Sequence, residues 1–134
     1  MKPEEVNLLV RFLRKRFNQP SIELRQTPED EKAEVFLGEV PFAELLRDED
    51  EGELSYVFEQ SFRLKRENAG SLQNELRARF NNDLLEVRSR PQKDDSDEIY
   101  IVDEFVAVLY REDMGAEISY HIAMSILDID LEEI

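Results

Sequence analysis

GELSYVF at 52–58 and AEISYHI at 116–122 say nearly the same thing twice within 134 residues. The echo extends outward from both. RFNQPSIELRQTP (16–28) lies on RFNNDLLEVRSRP (79–91), with Arg, Phe, Asn, Glu, Arg and Pro in the same slots. One residue is then inserted. AEVFLGEVPFAELLRDEDEGELSYVFEQSF (33–62) lies on DEIYIVDEFVAVLYREDMGAEISYHIAMSI (97–126). Self-similarity held in one register over most of both halves marks two copies of one supersecondary unit, here 1–66 and 67–134.

Each copy opens with a helical pattern. Val6, Leu9, Val10, Leu13 and Phe17 recur at helical spacing, and Leu72, Leu76 and Phe80 do so in the second copy. Pro3, Glu4 and Glu5 suit a helix N-terminus, and Arg14, Lys15 and Arg16 suit the negative end of its dipole. Ser71 is placed to cap the second helix. Strands follow: SIELR and LLEVR alternate, then EVFLGEVPFAELL and EIYIVDEFVAVLY each read as two strands around a turn. A long last strand closes each copy, with Leu54, Tyr56, Phe58, Phe62 and Leu64 on one parity, answered by Ile118, Tyr120, Ile122, Met124 and Ile126. Period two over that length means one buried and one wetter face.

The expected fold is therefore α+β: two tandem helix-plus-antiparallel-meander repeats, αββββ twice, packed as a pseudo-two-fold dimer. One copy alone has a small core and exposed sheet edges, and pairing two copies relieves both.

Composition narrows the function. Charged residues make up 37% of the chain, well above the usual quarter, and the net charge is −15. Such a surface repels phosphate backbones and anionic lipid, so neither nucleic acid nor membrane is an expected partner. The charge is unevenly shared. Residues 1–66 carry 11 basic and 15 acidic side chains, while 67–134 carry 6 and 17, giving −4 and −11. A basic partner is expected on the second half. There is no cysteine, which excludes disulfides and thiol chemistry and suits the cytoplasm. The N-terminal MKPEEVNLLVRFLRKRF lacks the apolar run and small-residue cleavage site of a secretory signal.

The residues also resemble a small uncharacterised family of bacteria, chiefly proteobacteria, roughly half this length. RPQKDDSDEIYIVDEF and SYHIAMSILDIDLEE in the second copy, and AEVFLGEVPF and RDEDEGELSYVF in the first, carry the resemblance. It covers nearly the whole chain in two copies. The first copy departs from the pattern at SFRLK, and the second at EDMGA. The resemblance implies the fold and no activity.

Candidate chemistries are few. His121 is the only histidine, expected on the half-wet face of the last strand with Ser119, Ala123 and Ser125. A serine triad also needs an orienting acid and an oxyanion hole, and no Gly-x-Ser-x-Gly elbow occurs. Asp48 to Glu53 resembles a calcium loop, but Gly52 falls at the fifth position instead of the sixth, so a solvated hairpin tip is expected. No phosphate-cradling glycine pattern occurs, and no cofactor is expected.

The expected function is that of a non-enzymatic binding or adaptor protein, its partner a protein or basic peptide, or a second copy of itself. The alternatives are a small-ligand protein or enzyme with its site at the repeat interface, and an acidic secretion-type chaperone. Leu8 and Phe12 form the candidate partner face. They stand where the second helix has Ser71 and Glu75, while Leu9, Leu13 and Phe17 match Leu72, Leu76 and Phe80. The first helix is thus apolar on an extra side, to be covered by a partner, by the other repeat, or by the segment Leu131 to Ile134.

Overall fold

Both helices end on the same tripeptide, Arg-Phe-Asn, and the structure shows why. In the computed structural model, which describes residues 1–29 and 31–132, helix α1 spans Pro3–Phe17 and α2 spans Leu72–Phe80. Phe17 and Phe80 are each 1% exposed. Asn18 and Asn81 follow in the left-handed conformation at φ 54° and 50°. Their short polar side chains tolerate that turn, and it lets Gln19 N–H and Asn82 N–H donate to the orphan carbonyls of Arg14 and Arg77, each over 2.9 Å.

The remaining elements run in the expected order. Strand β1 is Ile22–Gln26, β2 Lys32–Leu37, β3 Val40–Asp50 and β4 Glu53–Lys65. After α2 come β5 (Leu85–Ser89), β6 (Ser96–Ile101), β7 (Glu104–Asp113) and β8 (Glu117–Leu127), with a short α3 at Asp128–Glu132. Helix plus antiparallel meander, twice over, is what the chain builds.

Two details were not legible in the sequence. Ser71 makes no capping hydrogen bond, because a 3-10 helix over Arg66–Ser71 leads directly into α2. Each meander also carries a bulge at one equivalent site, between Val35 and Phe36 and between Ile99 and Tyr100. The bulge sets Phe42 against Phe58, with ring centroids 6.3 Å apart, and leaves Val106 4% exposed.

The chain forms two compact units. Unit one comprises Met1–Gln60 with Met124–Ile134, and unit two comprises Ser61–Ala123. Within unit one the order is β1-β2-β3-β4, with α1 along β1. Leu9, Leu13, Ile22, Val35, Leu45 and Phe58 are fully buried there, and Phe17 meets Phe58 at 5.2 Å. Each such side chain withdrawn from water contributes about 1.5–3 kcal/mol. Helix α3 packs against α1, and Leu131 is buried. Ile134, which belonged to the expected covering segment, lies outside the described residues. Unit two orders β8-β7-β6-β5 with α2 beside β5, around Leu76, Phe80, Leu85, Ile99, Leu109 and Ile122. Phe62 stacks on Tyr120 at 5.2 Å and 21°, with the Arg79 guanidinium 4.2 Å from the Phe62 centroid. No helix among the described residues is long and apolar enough to cross a membrane.

Candidate functional site

The tyrosine shared by the two opening heptapeptides sits in different surroundings in each unit. In unit one, Tyr56 from β4 donates to Glu5 Oε2 at 2.5 Å. Arg47 Nε, from β3, donates to the same oxygen at 2.8 Å. Lys2 N–H donates to Glu5 Oε1 at 3.1 Å, closing the first turn of α1. Arg47 also reaches Glu31 at 3.2 Å and Glu49 at 3.1 Å. Burial alone would raise the Glu5 carboxyl. The hydrogen bonds from Tyr56, Arg47 and Lys2, with the Arg47 charge, outweigh it and hold Glu5 at about 2. Burial, then the Glu5 carboxylate, pushes the Tyr56 hydroxyl up. Neither group titrates near neutral pH, so the cluster clamps α1 to the sheet and offers no poised proton carrier.

Unit two places the acid on the sheet and not on the helix. Asn68 stands in the slot of Glu5, within the 3-10 helix. The acid reappears as Asp97 on β6, where unit one has Ala33, and it takes Arg111 Nη1 at 2.9 Å. Arg111 Nη2 also donates to the Asp94 carbonyl at 3.0 Å. Tyr120 stays buried, and burial raises its hydroxyl, but no carboxylate among the described residues accepts a hydrogen bond from it.

The residues singled out from sequence fall as follows. His121 Nδ1 lies 2.9 Å from Ser61 Oγ, a neighbour on β4, while Tyr110 is its cross-strand partner on β7. The stretch Asp48 to Glu53 is a two-residue hairpin, with Asp50 opposite Glu53 and Glu51 and Gly52 at φ 51° and 83°. Glu49 is engaged by Arg47, and no group of three or more His, Asp or Glu among the described residues is disposed to hold a metal ion. Phe12 is 7% exposed, with the Arg16 guanidinium 5.3 Å from its ring centroid, and Leu8 is half-buried. Helix α3 packs against α1, the helix that carries both residues.

A different surface stands open. On β7 of unit two, Leu109 points inward and Tyr110 outward, 44% exposed. Phe105, on the same outer side beyond the bulge, is 47% exposed and meets Tyr100 edge-on at 5.9 Å. Val108 lies between Glu98 on β6 and Ala123 on β8. Arg88 lies over Tyr100 at 4.0 Å, but Glu86 and Asp103 hold its charge at 3.1 and 2.7 Å. The sequence hides this pair: Phe105 and Tyr110 fall on opposite parities of EFVAVLY, and only the bulge brings them to one face.

No curated protein and no solved structure matches the chain. One family model matches it twice, over residues 5–61 and 68–130, at the two copies described above. The chain belongs to the family described as protein of unknown function (DUF3126), and it carries that family's unit in tandem.

Proposed function

We propose that this chain is a non-enzymatic binding protein that takes a basic, partly apolar protein segment on the outer sheet face of unit two. One observation carries the reading: Phe105 and Tyr110 stand about half exposed on that face, with carboxylates beside them. Aromatic rings offer large contact area at small entropic cost, and surrounding carboxylates favour a cationic partner and repel an anionic one. Glu98 and Glu112 lie on the same face by register, beside Val108 and Tyr110. The only cation over the aromatic pair, among the described residues, is Arg88, which is already paired. The bacterial source that the sequence resemblance implies, and a reducing cytoplasm suited to a cysteine-free chain, complete the proposal.

Fluorescence anisotropy tests it with two labelled peptides, one alternating lysine and leucine, the other glutamate and leucine. The basic peptide is expected to bind, and to weaken roughly fivefold or more as salt rises from about 50 to 200 mM. Phe105→Ser with Tyr110→Ser is expected to weaken it by about tenfold. Equal binding of the acidic peptide, salt-insensitive binding, or an unaffected double variant overturns the proposal.

A further inference from the structure

The end strands of the two units differ in one side chain. Among the described residues β1 pairs only with β2, and β5 only with β6. An end strand presents every second N–H and C=O outward. Arg14 Nε donates to the Ile22 carbonyl and Arg77 Nε to the Leu85 carbonyl, each at 2.8 Å, so these carbonyls face away from the sheet. By the two-residue period, the N–H and C=O of Leu24 and Val87 face the same way. In unit two that outward N–H is capped: Val87 N–H donates to Gln73 Oε1 at 2.9 Å. In unit one the slot of Gln73 holds Val10, which has no acceptor, and no described side chain meets the Leu24 N–H.

We propose that β1 is the docking edge for a second copy of this chain, paired antiparallel across a two-fold axis through Leu24. The strand reads Ile22-Glu23-Leu24-Arg25-Gln26. Paired on itself about Leu24, it sets Glu23 against Arg25 of the second copy, and Arg25 against Glu23 of the second copy. Two backbone hydrogen bonds join the facing Leu24 residues. Opposite charges directly across an antiparallel pair are favourable, and an isologous interface needs this self-complementarity. Glu23 and Arg25 are exposed; within the chain the Arg25 guanidinium lies over the Phe36 ring of β2 at 3.8 Å and pairs with Glu39 at 3.4 Å, a surface contact that pairing across the edge exchanges for Glu23 of the second copy. Strand β5 reads Leu85-Glu86-Val87-Arg88-Ser89 and has the same charge order. Its capped Val87 removes the central bond. Two open edges per chain would give an open-ended assembly; one open and one capped edge closes at a dimer.

Sedimentation of the full chain tests this, with circular dichroism checking that each variant stays folded. The wild type is expected to dimerise at micromolar to sub-millimolar concentration. Val10→Gln, which recreates the cap of unit two, is expected to give a monomer. Arg25→Glu, which sets like charges face to face twice, is expected to loosen the dimer by roughly tenfold. Adding Glu23→Arg to it restores the dimer. Gln73→Val opens the second edge and is expected to yield species larger than a dimer. A wild type that stays monomeric throughout overturns the proposal. So does a dimer unmoved by folded Val10→Gln, or, should that variant unfold, one unmoved by Arg25→Glu. A wild-type chain that stays monomeric yet adds a foreign extended peptide at β1 overturns the second copy as occupant.

Discussion

Tyr56 and Glu5 lie 51 residues apart in sequence and 2.5 Å apart in space, the hydroxyl donating to the carboxylate. The bond is charge-assisted, partly buried and shared with Arg47. Tyr120 has the same strand position and is as deeply buried, but no carboxylate among the described residues accepts its hydrogen bond. Tyr56→Phe is therefore expected to cost about 1.5–3 kcal/mol, and Tyr120→Phe less than about 1 kcal/mol. Denaturant melts of the two variants check the difference; equal costs would show that the hydrogen bond to Glu5 adds no net stability.

Glu5 links stability to pH. Its carboxyl is held at about 2 in the folded chain against an ordinary value of 4.5. A depressed carboxyl stabilises above its unfolded value and loses that contribution as pH falls through its folded value. The stabilisation is thus complete above about pH 5 and gone near pH 2. The shift amounts to about 2 kcal/mol after allowance for solvent screening. Glu5→Gln should be less stable than wild type at pH 6, and the gap should close between pH 4.5 and 2. A gap of constant size across that range means that the carboxylate charge is not what Arg47 and Tyr56 recognise.

Asp97 is the carboxylate partner of the recurring arginine in unit two, between two strands of the sheet. Its side chain is 8% exposed and holds Arg111. Asp97→Ala strands a half-buried guanidinium and is expected to cost about 2–3 kcal/mol. Adding Asn68→Glu, which restores the acid at the unit-one position, should not rescue it. Position 68 lies in the 3-10 helix, not in an α-helical first turn, and is exposed. Thermal melts decide. Full rescue would mean that the 3-10 helix rearranges to place the new carboxylate on Arg111.

Phe12 should behave as core. Phe12→Ala is expected to cost about 3 kcal/mol, near the lower end for a buried ring because one edge reaches solvent. Leu8→Ser, half-buried, should cost about 1 kcal/mol. If Phe12→Ala is neutral for stability but abolishes self-association, the helix face is an interface after all.

The strands and both helices were legible because their signals are local: period two, period 3.6 and the repeat itself. Leu9 and Leu13 are buried as the helical spacing implies, and Tyr56 and Tyr120 as the alternation implies. Helical spacing alone put Phe12 outside the shared stripe. Its burial shows only in the folded unit, where α3, more than a hundred residues away in sequence, packs against the same helix. The Glu5–Arg47–Tyr56 clamp was hidden for the same reason, although Arg47 and Tyr56 both recur as Arg111 and Tyr120. The bulges were hidden because one extra residue leaves EVFLGEVPF reading as plain alternation around a turn.

Val102 ties the candidate surface to a strained turn. It stands at φ 49°, a left-handed conformation that costs a β-branched residue about 1–2 kcal/mol, and it is 67% exposed. Unit one has Gly38 in that slot, at φ 64°. The strain has no compensation in the core, and Val102 lies in the turn between Tyr100 and Phe105, beside the exposed face. Strain at an exposed apolar residue is a mark of a position kept for contact. Val102→Asn, a residue that tolerates this conformation, should raise stability by about 1 kcal/mol. It should also weaken the lysine–leucine peptide severalfold, because the turn loses its apolar tip. Melting and anisotropy on one preparation read both effects. A more stable variant with unchanged peptide binding places the contact surface away from the β6–β7 turn, and a less stable one means that the valine side chain is packed and the strain argument is wrong.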